Sequence, residues 1–333
     1  MTEWKSLTAD EQTAALQQVA GIKNLPPQAV EKDLWVTVIL QMVFSLPFAD
    51  KLVFKGGTSL SKVFGKIERF SEDIDLAVDR SLFEMEGDPT KRQLKHLRKQ
   101  SSLFVRDTFL VELQKAFLDF GFTELSAVAE PDGEGDSTYP EPRRIFISYP
   151  SLFHDPLDYI KPSVMLEIGA RSLLEPIVTT QVRSLVELAI PELKTSAVSP
   201  AIATAVIEKT FLEKAFLLHE LFTTPAGSLA NRKSRHMYDL ARMMDEPFAD
   251  KAIHDDSLWE NIRHHRQVFT SMAGVDYTPD IRRRIVLLPP EEWQREWRAD
   301  YEAMRGTMIF GPSPSFDELL VKLQQLQDRF RQV

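Results

Sequence analysis

Two aspartates, Asp73 and Asp75, stand two positions apart in the run "DIDLAV". Charged and apolar residues alternate there, which is the period of a strand, and side chains two apart on a strand share one face. Carboxylates forced together repel each other and resist leaving water. Such a pair persists mainly beside a neutralising cation or at a wet strand end. An oxygen-only ligand set suits Mg2+, with Mn2+ able to substitute, and Mg2+ fills its remaining positions with water and substrate phosphate oxygens. Upstream, Gly56 and Gly57 follow the apolar run "KLVFK" and precede "TSLSKVFGKI", which reads as a helix. A paired glycine between strand and helix lets backbone N–H groups approach an anion closely, and Thr58 and Ser59 add hydroxyl donors. A phosphate cradle joined by one helix to a dicarboxylate metal site describes nucleotide binding with metal-assisted phosphoryl chemistry. It is not a P-loop, because the sequence has no G-x-x-x-x-G-K-[ST].

Each half alone has a plainer reading, a turn for Gly-Gly and a solvated strand edge for D-x-D. Their order and spacing together favour chemistry. A third acid, Glu167, stands in the otherwise apolar "VMLEIGA". If that strand lies beside "DIDLAV", Glu167 completes a three-acid site; otherwise it is an edge acid facing water.

The elements that must position these residues are legible around them. "SLTADEQTAALQQVAGIKN" reads as a capped helix with Thr8 or Asp10 as N-cap, and "PPQAVEKDLWVTVILQMVFSLPF" as a second helix stopped by Pro47. Residues 90–120 have helical character, and "TELSAVA", "RRIFISY" and "SVMLEIGA" read as strands. The stretch "EPDGEGDSTYPEP" is an exposed loop, while "TTQVRSLVELAI" fits either helix or strand. From residue 204 to 333 the chain reads as helices broken at prolines. The division between a mixed half and a helical half falls near Ser196 to Pro200, and a ligand site between two such lobes is a common arrangement.

The 333 residues, 43% hydrophobic and 27% charged, suffice for two cores. With no cysteine, disulfides, thiolate metal sites and cysteine nucleophiles are excluded, and a reducing cytoplasm is the expected location. The first residues carry no signal pattern, and no run is long enough to span a bilayer. A net charge of −9 argues against a uniformly basic nucleic-acid binder, though local patches can still grip phosphates.

"GGTSLSK", "SEDIDL" and an isolated acid in a later strand resemble the minimal nucleotidyltransferase fold of the DNA polymerase β superfamily. More closely, the chain resembles the AbiEii/AbiGii family of nucleotidyltransferase toxins from bacterial toxin–antitoxin and phage-defence systems. The match lies in "EKDLWV" (31–36), "FKGGTSLSKVFGKIERFSEDIDL" (54–76), "TFLEKAFLLH" (210–219) and "SRHMYDLARM" (234–243), within about the first 245 residues. The resemblance implies an α+β fold. A polymerase β-like nucleotidyltransferase domain with a mixed sheet and N-terminal helices occupies residues 1–196. An α-helical domain, residues 197–333, closes the cleft. It implies an enzyme that takes an NTP, releases pyrophosphate and moves the nucleotide to an acceptor, for some members the tRNA 3′ end, so that translation stops. It also implies an antitoxin encoded nearby. Carried over by position, Gly56, Gly57 and Ser59 hold triphosphate, with Thr58, Lys62 and Ser71 in the same nucleotide-binding set. Asp73 and Asp75 bind Mg2+, and Glu167 fits the third-acid slot. Lys214 in "LEK" and Asp239 in "YDL" join Asp73 and Asp75 as catalytic residues.

The physics suits those roles. A lysine from the helical half neutralises β/γ-phosphate charge, and Asp239 either holds that lysine or contacts the base or ribose. In-line attack by a hydroxyl needs mainly positioning and charge stabilisation, with an aspartate nearby as general base. The local readings are an exposed Glu213–Lys214 helix pair and an Asp239 paired with Arg235 one turn earlier. His236 stands where the family leads one to expect a stronger charge. Glu31, Lys32 and Asp33 suggest a salt bridge bracing the Gly-Gly turn.

For an RNA backbone, Lys91, Lys95, Arg98 and Lys99 lie mostly along one helix face, Arg232, Lys233 and Arg235 abut the Asp239 motif, and "RRR" fills 282–284. A solvated helix face explains the first group as well. Two other functions fit the residues: a nucleotidyltransferase acting on a small molecule or a protein, and a non-catalytic nucleotide-binding partner protein.

Overall fold

The computed structural model describes residues 2–71, 73–135, 138–153, 160–195, 198–309 and 311–333. The chain divides into two compact units, one of Met1–Val63 with Ser71–Ala205, the other of Phe64–Phe70 with Val206–Val333. Of the expected boundary, Ser196 and Ala197 lie outside the described residues. The division itself runs between 205 and 206, and a short segment, 64–70, is assigned to the helical unit.

The first unit contains β1 (Thr2–Glu3), α1 (Ala9–Lys23), α2 (Pro27–Val43), β2 (Leu52–Lys55), α3 (Gly56–Lys62), β3 (Asp73–Val78), α4 (Lys91–Phe104), α5 (Leu110–Asp119), β4 (Ser126–Ala129), β5 (Arg143–Ser148), β6 (Ser163–Gly169), β7 (Ile177–Thr180), α6 (Leu185–Ala189), β8 (Leu193–Lys194) and β9 (Ile202–Ala205). Seven strands form one sheet in the order β4-β5-β6-β3-β2-β9-β7. β3 runs parallel to β6 and β2 parallel to β9; the other pairs are antiparallel. The sheet is therefore mixed, as expected.

Alternation decides which face is core. Phe54, Ile74, Leu76, Ile145, Ile147, Leu166 and Ile168 are fully or almost fully buried. The residues between them include Lys55, Asp73, Asp75, Arg144 and Glu167, each half-buried or exposed. Helix α2 packs on β3 and β6 and also against α1, α5 and α6. That explains why it is apolar on nearly every side, since a helix covered all round has no polar face to keep. Thr8 caps α1 in a capping box with Glu11, and Pro27 opens α2, whose missing N–H is an orphan there anyway.

Four local expectations change. α2 ends at Val43, before Pro47, and α3 starts on the glycines and ends at Lys62. The ambiguous run splits into edge strand β7 and helix α6. "IATA", just past the expected boundary, is the sheet strand β9. Four residues, Ile202 and Thr204 alternating with two alanines, are too short a pattern to announce it; pairing with β2 and β7 makes it a strand.

The second unit is helical: α7 (Ile207–Phe222), α8 (Ser234–Met243), α9 (Pro247–Ile253), α10 (Asp256–His265), α11 (Gln294–Thr307) and α12 (Phe316–Arg331). α7 is its axis, packed by α8, α9 and α10. Phe216 meets Trp259 with ring centroids 4.4 Å apart, and Phe211 stacks on Phe330 at 6.1 Å. Segment 64–70 is tied down inside this unit. The Phe70 N–H donates to the Met308 carbonyl at 2.8 Å, Arg69 bridges to Ile309, and Lys66 pairs with Glu246 at 2.8 Å. Among the described residues, no helix is long and apolar enough to cross a membrane.

Candidate active site

Strand register brings the acids of the first unit onto one face. Asp75 of β3 lies opposite Glu167 of β6 and opposite Lys55 of β2, and Glu167 lies opposite Arg144 of β5. One cross-strand row thus reads Arg144, Glu167, Asp75, Lys55, with a cation at each end and two carboxylates in the middle. Asp73, two residues earlier on β3, shares that face beside Met165. Glu167 does stand next to Asp75, as the three-acid reading needed. Its carboxylate, however, receives the Arg144 Nε at 3.4 Å. Among the described residues, no three His, Cys, Asp or Glu converge closely enough to hold a metal by themselves.

The Gly-Gly turn and the D-x-D strand touch directly. Gly56 has φ +79°, and a Cβ built on it would stand 1.9 Å from Asp75 Oδ2. Both facts demand glycine: left-handed backbone disfavours any side chain, and the Asp75 carboxylate occupies the space a methyl would need. The first glycine is thus the seat of the second aspartate.

The hydroxyls expected on phosphate are engaged by the protein itself. Ser59 Oγ donates to the Gly56 carbonyl at 2.9 Å. Thr58 Oγ1 donates to the Asp73 carbonyl and lies 2.9 Å from Ser71 Oγ, so it pins the start of β3 to α3. The Lys62 ammonium is enclosed and paired with Asp33. Asp33 also accepts the Leu185 N–H at 2.7 Å, capping the run that leads into α6. The brace expected from "EKD" is therefore this pair, at the far end of α3. Glu31 instead accepts from Ser151 Oγ and the Leu152 N–H, and Lys32 donates to the Lys161 carbonyl at 3.1 Å. Burial, opposed by those two hydrogen bonds, leaves the Glu31 carboxyl above its ordinary range.

Lys214 and Asp239 meet in the helical unit. Asp239, 0% exposed, receives Arg69 Nε and Nη2 at 2.7 and 2.8 Å and pairs with Lys214 at 2.9 Å. Of the two roles open to Asp239, holding the lysine is the one the geometry displays. Its partners are Arg69 and Lys214 in place of the one-turn neighbour Arg235. Burial alone would push this carboxyl up, but the two cations and their hydrogen bonds hold it well below the ordinary range. Burial lowers Lys214, against the pull of Asp239. His236 is driven far down by burial and by the neighbouring charges of Lys214 and Arg235, so its ring is neutral. A neutral ring 3.3 Å from the ammonium accepts at Nδ1 and keeps its proton on Nε2. His236 therefore takes the place of an expected charge by serving as an acceptor for Lys214.

The family model for the nucleotidyl transferase AbiEii toxin, type IV toxin–antitoxin system, matches residues 39–322. The chain belongs to the AbiEii nucleotidyltransferase toxin family. It is a nucleotidyltransferase toxin of a type IV toxin–antitoxin system, which implies an antitoxin partner. The AbiEii match takes in Gly56, Asp73, Asp75, Glu167, Lys214 and Asp239. It begins after the "EKDLWV" run and continues well past residue 245, where the recognisable motifs stop. Among solved structures, MenT4, a nucleotidyltransferase toxin from Mycobacterium tuberculosis H37Rv, is similar over 98% of this chain and 99% of that chain, with a TM-score of 0.44 and 14% identity. No curated protein matches the sequence.

The basic residues of this AbiEii-family chain divide by environment. Lys91, Lys95 and Lys99 are exposed on α4, which opens with a Thr90–Gln93 capping box. Arg98, half-buried, donates its Nε to the Tyr139 carbonyl at 2.7 Å. Arg232 is exposed with φ +62°, its N–H bonded to Asp300 at 2.6 Å; Lys233 precedes α8, and Arg235 lies beside the Lys214–His236 pair. Arg282 is spent internally, buried against the Trp259 ring and paired with Asp256 at 2.6 Å, and Arg284 pairs with Asp276 and Asp280. Sequence reasoning missed Arg69, Arg144 and Lys55. Only the last had a local signal, as the residue immediately before the Gly-Gly pair.

Proposed function

We propose that this toxin transfers a nucleoside monophosphate from an NTP to the 3′ end of an RNA, with tRNA as the acceptor, and so halts translation in the cytoplasm. The observation that carries this reading is the Asp75 carboxylate lying against Gly56, with Asp73 on the same face. The acids sit directly beside the turn between β2 and α3, where a phosphate chain would approach the backbone N–H groups. The donor set fits a hard dication. Two half-buried carboxylates with only oxygen donors suit Mg2+, which keeps water and takes phosphate ligands. A metal held by Asp73 and Asp75 would supply positive charge to the phosphates being exchanged.

The chain's own residues do the positioning. Thr58 ties β3 to α3, so Asp73 and the turn hold a fixed separation. Arg144 restrains Glu167, which leaves Asp73 and Asp75 as the pair that would hold the metal. In the helical unit, Asp239 holds both Arg69 and Lys214, two cations on one carboxylate. The exposed Lys91, Lys95 and Lys99 supply a basic stripe for an RNA backbone.

The experiment is incubation with Mg2+, each of four α-labelled NTPs and total tRNA, beside an Asp73→Ala control. Label in tRNA that the control lacks supports the reading and names the nucleotide. Label in a protein or small molecule keeps the transferase and overturns the acceptor. Expression without the antitoxin should arrest growth, and growth equal to that of the Asp73→Ala strain counts against the reading.

A further inference from the structure

The face that carries the acids continues outward into an open surface. Next to the charged row runs an apolar one: Val128 of β4 lies opposite Phe146 of β5, Phe146 opposite Met165 of β6, and Met165 opposite Asp73. Phe146 is 39% exposed and Val128 62% exposed. A third row beside it reads Ser126, Ser148, Ser163. An aromatic ring in the open, with hydroxyls on one side and the exposed Arg144 on the other, is the composition of a sheet that stacks nucleobases.

We propose that this face seats the terminal nucleoside of the acceptor RNA, its base on Phe146 and its sugar hydroxyl toward Asp73. The inference rests on the RNA-acceptor reading above and gives that acceptor a place. Three observations select this occupant. From Phe146 to Asp73 is two strand spacings, about 10 Å, which one nucleoside covers from base to sugar. The two rows around the ring, Val128–Phe146–Met165 and Ser126–Ser148–Ser163, carry no cation to hold a phosphate backbone. They accept a neutral base and a sugar, and the end of an RNA is where a nucleoside carries least phosphate. The serine row lies where sugar and base edges need hydrogen-bond partners. The plainer account is that Val128 and Phe146 are a cross-strand pair that only strengthens the sheet.

The test is fluorescence anisotropy with a short 5′-fluorescein single-stranded RNA bearing a free 3′ hydroxyl, on wild type, Phe146→Ala and Phe146→Trp. NTP-dependent transfer and thermal stability are measured in parallel. Removing the ring should weaken RNA binding about 5- to 100-fold, the range of one base stack. Phe146→Trp should bind as wild type, and the KM for NTP should not move in either variant. RNA affinity unchanged in Phe146→Ala overturns the seat and leaves the RNA-transfer reading standing, and lower melting with unchanged RNA affinity assigns Phe146 to sheet pairing alone. Wild type that binds no RNA and labels a protein or small molecule overturns both proposals together.

Discussion

Replacing Gly56 by alanine tests the contact on which the site is built. Two separable penalties meet there. The backbone at φ +79° is unfavourable to alanine by about 1–2 kcal/mol. The new methyl would also stand 1.9 Å from Asp75 Oδ2 and 2.7 Å from its Cγ, so the carboxylate must leave. Overpacking of that kind costs about 1–3 kcal/mol. Gly56→Ala should therefore weaken the β2–β3 region by about 2–5 kcal/mol in total. In an Asp75→Ala background most of the overlap disappears, and the same glycine substitution should cost only the backbone part. The coupling between the two positions is then about 1–3 kcal/mol. Hydrogen exchange read by mass spectrometry on peptides spanning residues 52–78 reports this locally, without requiring the two units to unfold as one. Transfer activity should fall in Gly56→Ala as far as in Asp75→Ala, because both remove the carboxylate from its seat. An equal cost of Gly56→Ala in both backgrounds would falsify the contact.

Asp73→Ala should abolish transfer while circular dichroism stays native; full activity in a folded variant removes Asp73 from the chemistry. Asp239→Ala leaves Arg69 and Lys214 buried without their counter-charge and should destabilise the helical unit by about 3–5 kcal/mol. A variant that melts like wild type yet is inactive would show that Asp239 acts in chemistry and not in packing. Burial raises the Glu141 carboxyl to about 7, against the hydrogen bonds from Ser101 and the Ala170 N–H and the charge of Arg171. Its folded pKa exceeds its unfolded one, so the stability it contributes is present below the ordinary carboxylate range and is lost as pH rises through 7. Glu141→Gln should accordingly be more stable than wild type at pH 8, by up to about 3 kcal/mol, and a difference that persists at pH 4 contradicts the linkage. His219 is the opposite case. Burial, reinforced by Arg284 and Arg331 against Glu220, lowers it to about 4, and its Nδ1 accepts the Val286 N–H at 3.1 Å. Its stability is present above 6.5 and lost as pH falls toward 4, so acid should loosen the helical unit first, which proteolysis at pH 5 would reveal.

The strands that hold the acids were legible because alternation is a local signal. "DIDLAV" is β3 residue for residue, and the core of each later strand run is a strand. What alternation cannot state is register. That Glu167 stands opposite Asp75, and Arg144 opposite Glu167, follows from how β3, β5 and β6 pair, and a slip of one residue would send every one of them to the buried face. The glycines were legible as a turn, but the reason for glycine was half hidden. The reading named close approach to an anion from outside, whereas the anion in contact is the protein's own Asp75.

Lys214 and Asp239 show where a one-dimensional reading stops. Both belong to recognisable runs, yet the residue that explains them is Arg69, 170 positions before Asp239. Nothing near Arg69 marks it as buried; "KIERF" looks like a solvated link between a helix and a strand. A buried aspartate with one lysine would be a simple pair, whereas Arg69 adds a second cation on the same carboxylate, which holds it ionised and lets His236 stay neutral as an acceptor. Removing Arg69 should therefore act on Lys214 and His236 as well as on Asp239. Arg69→Met is expected to ease the depression of the His236 pKa, readable by NMR titration of its ring. A ring that titrates as in wild type would mean that Arg69 anchors the chain without tuning the cluster.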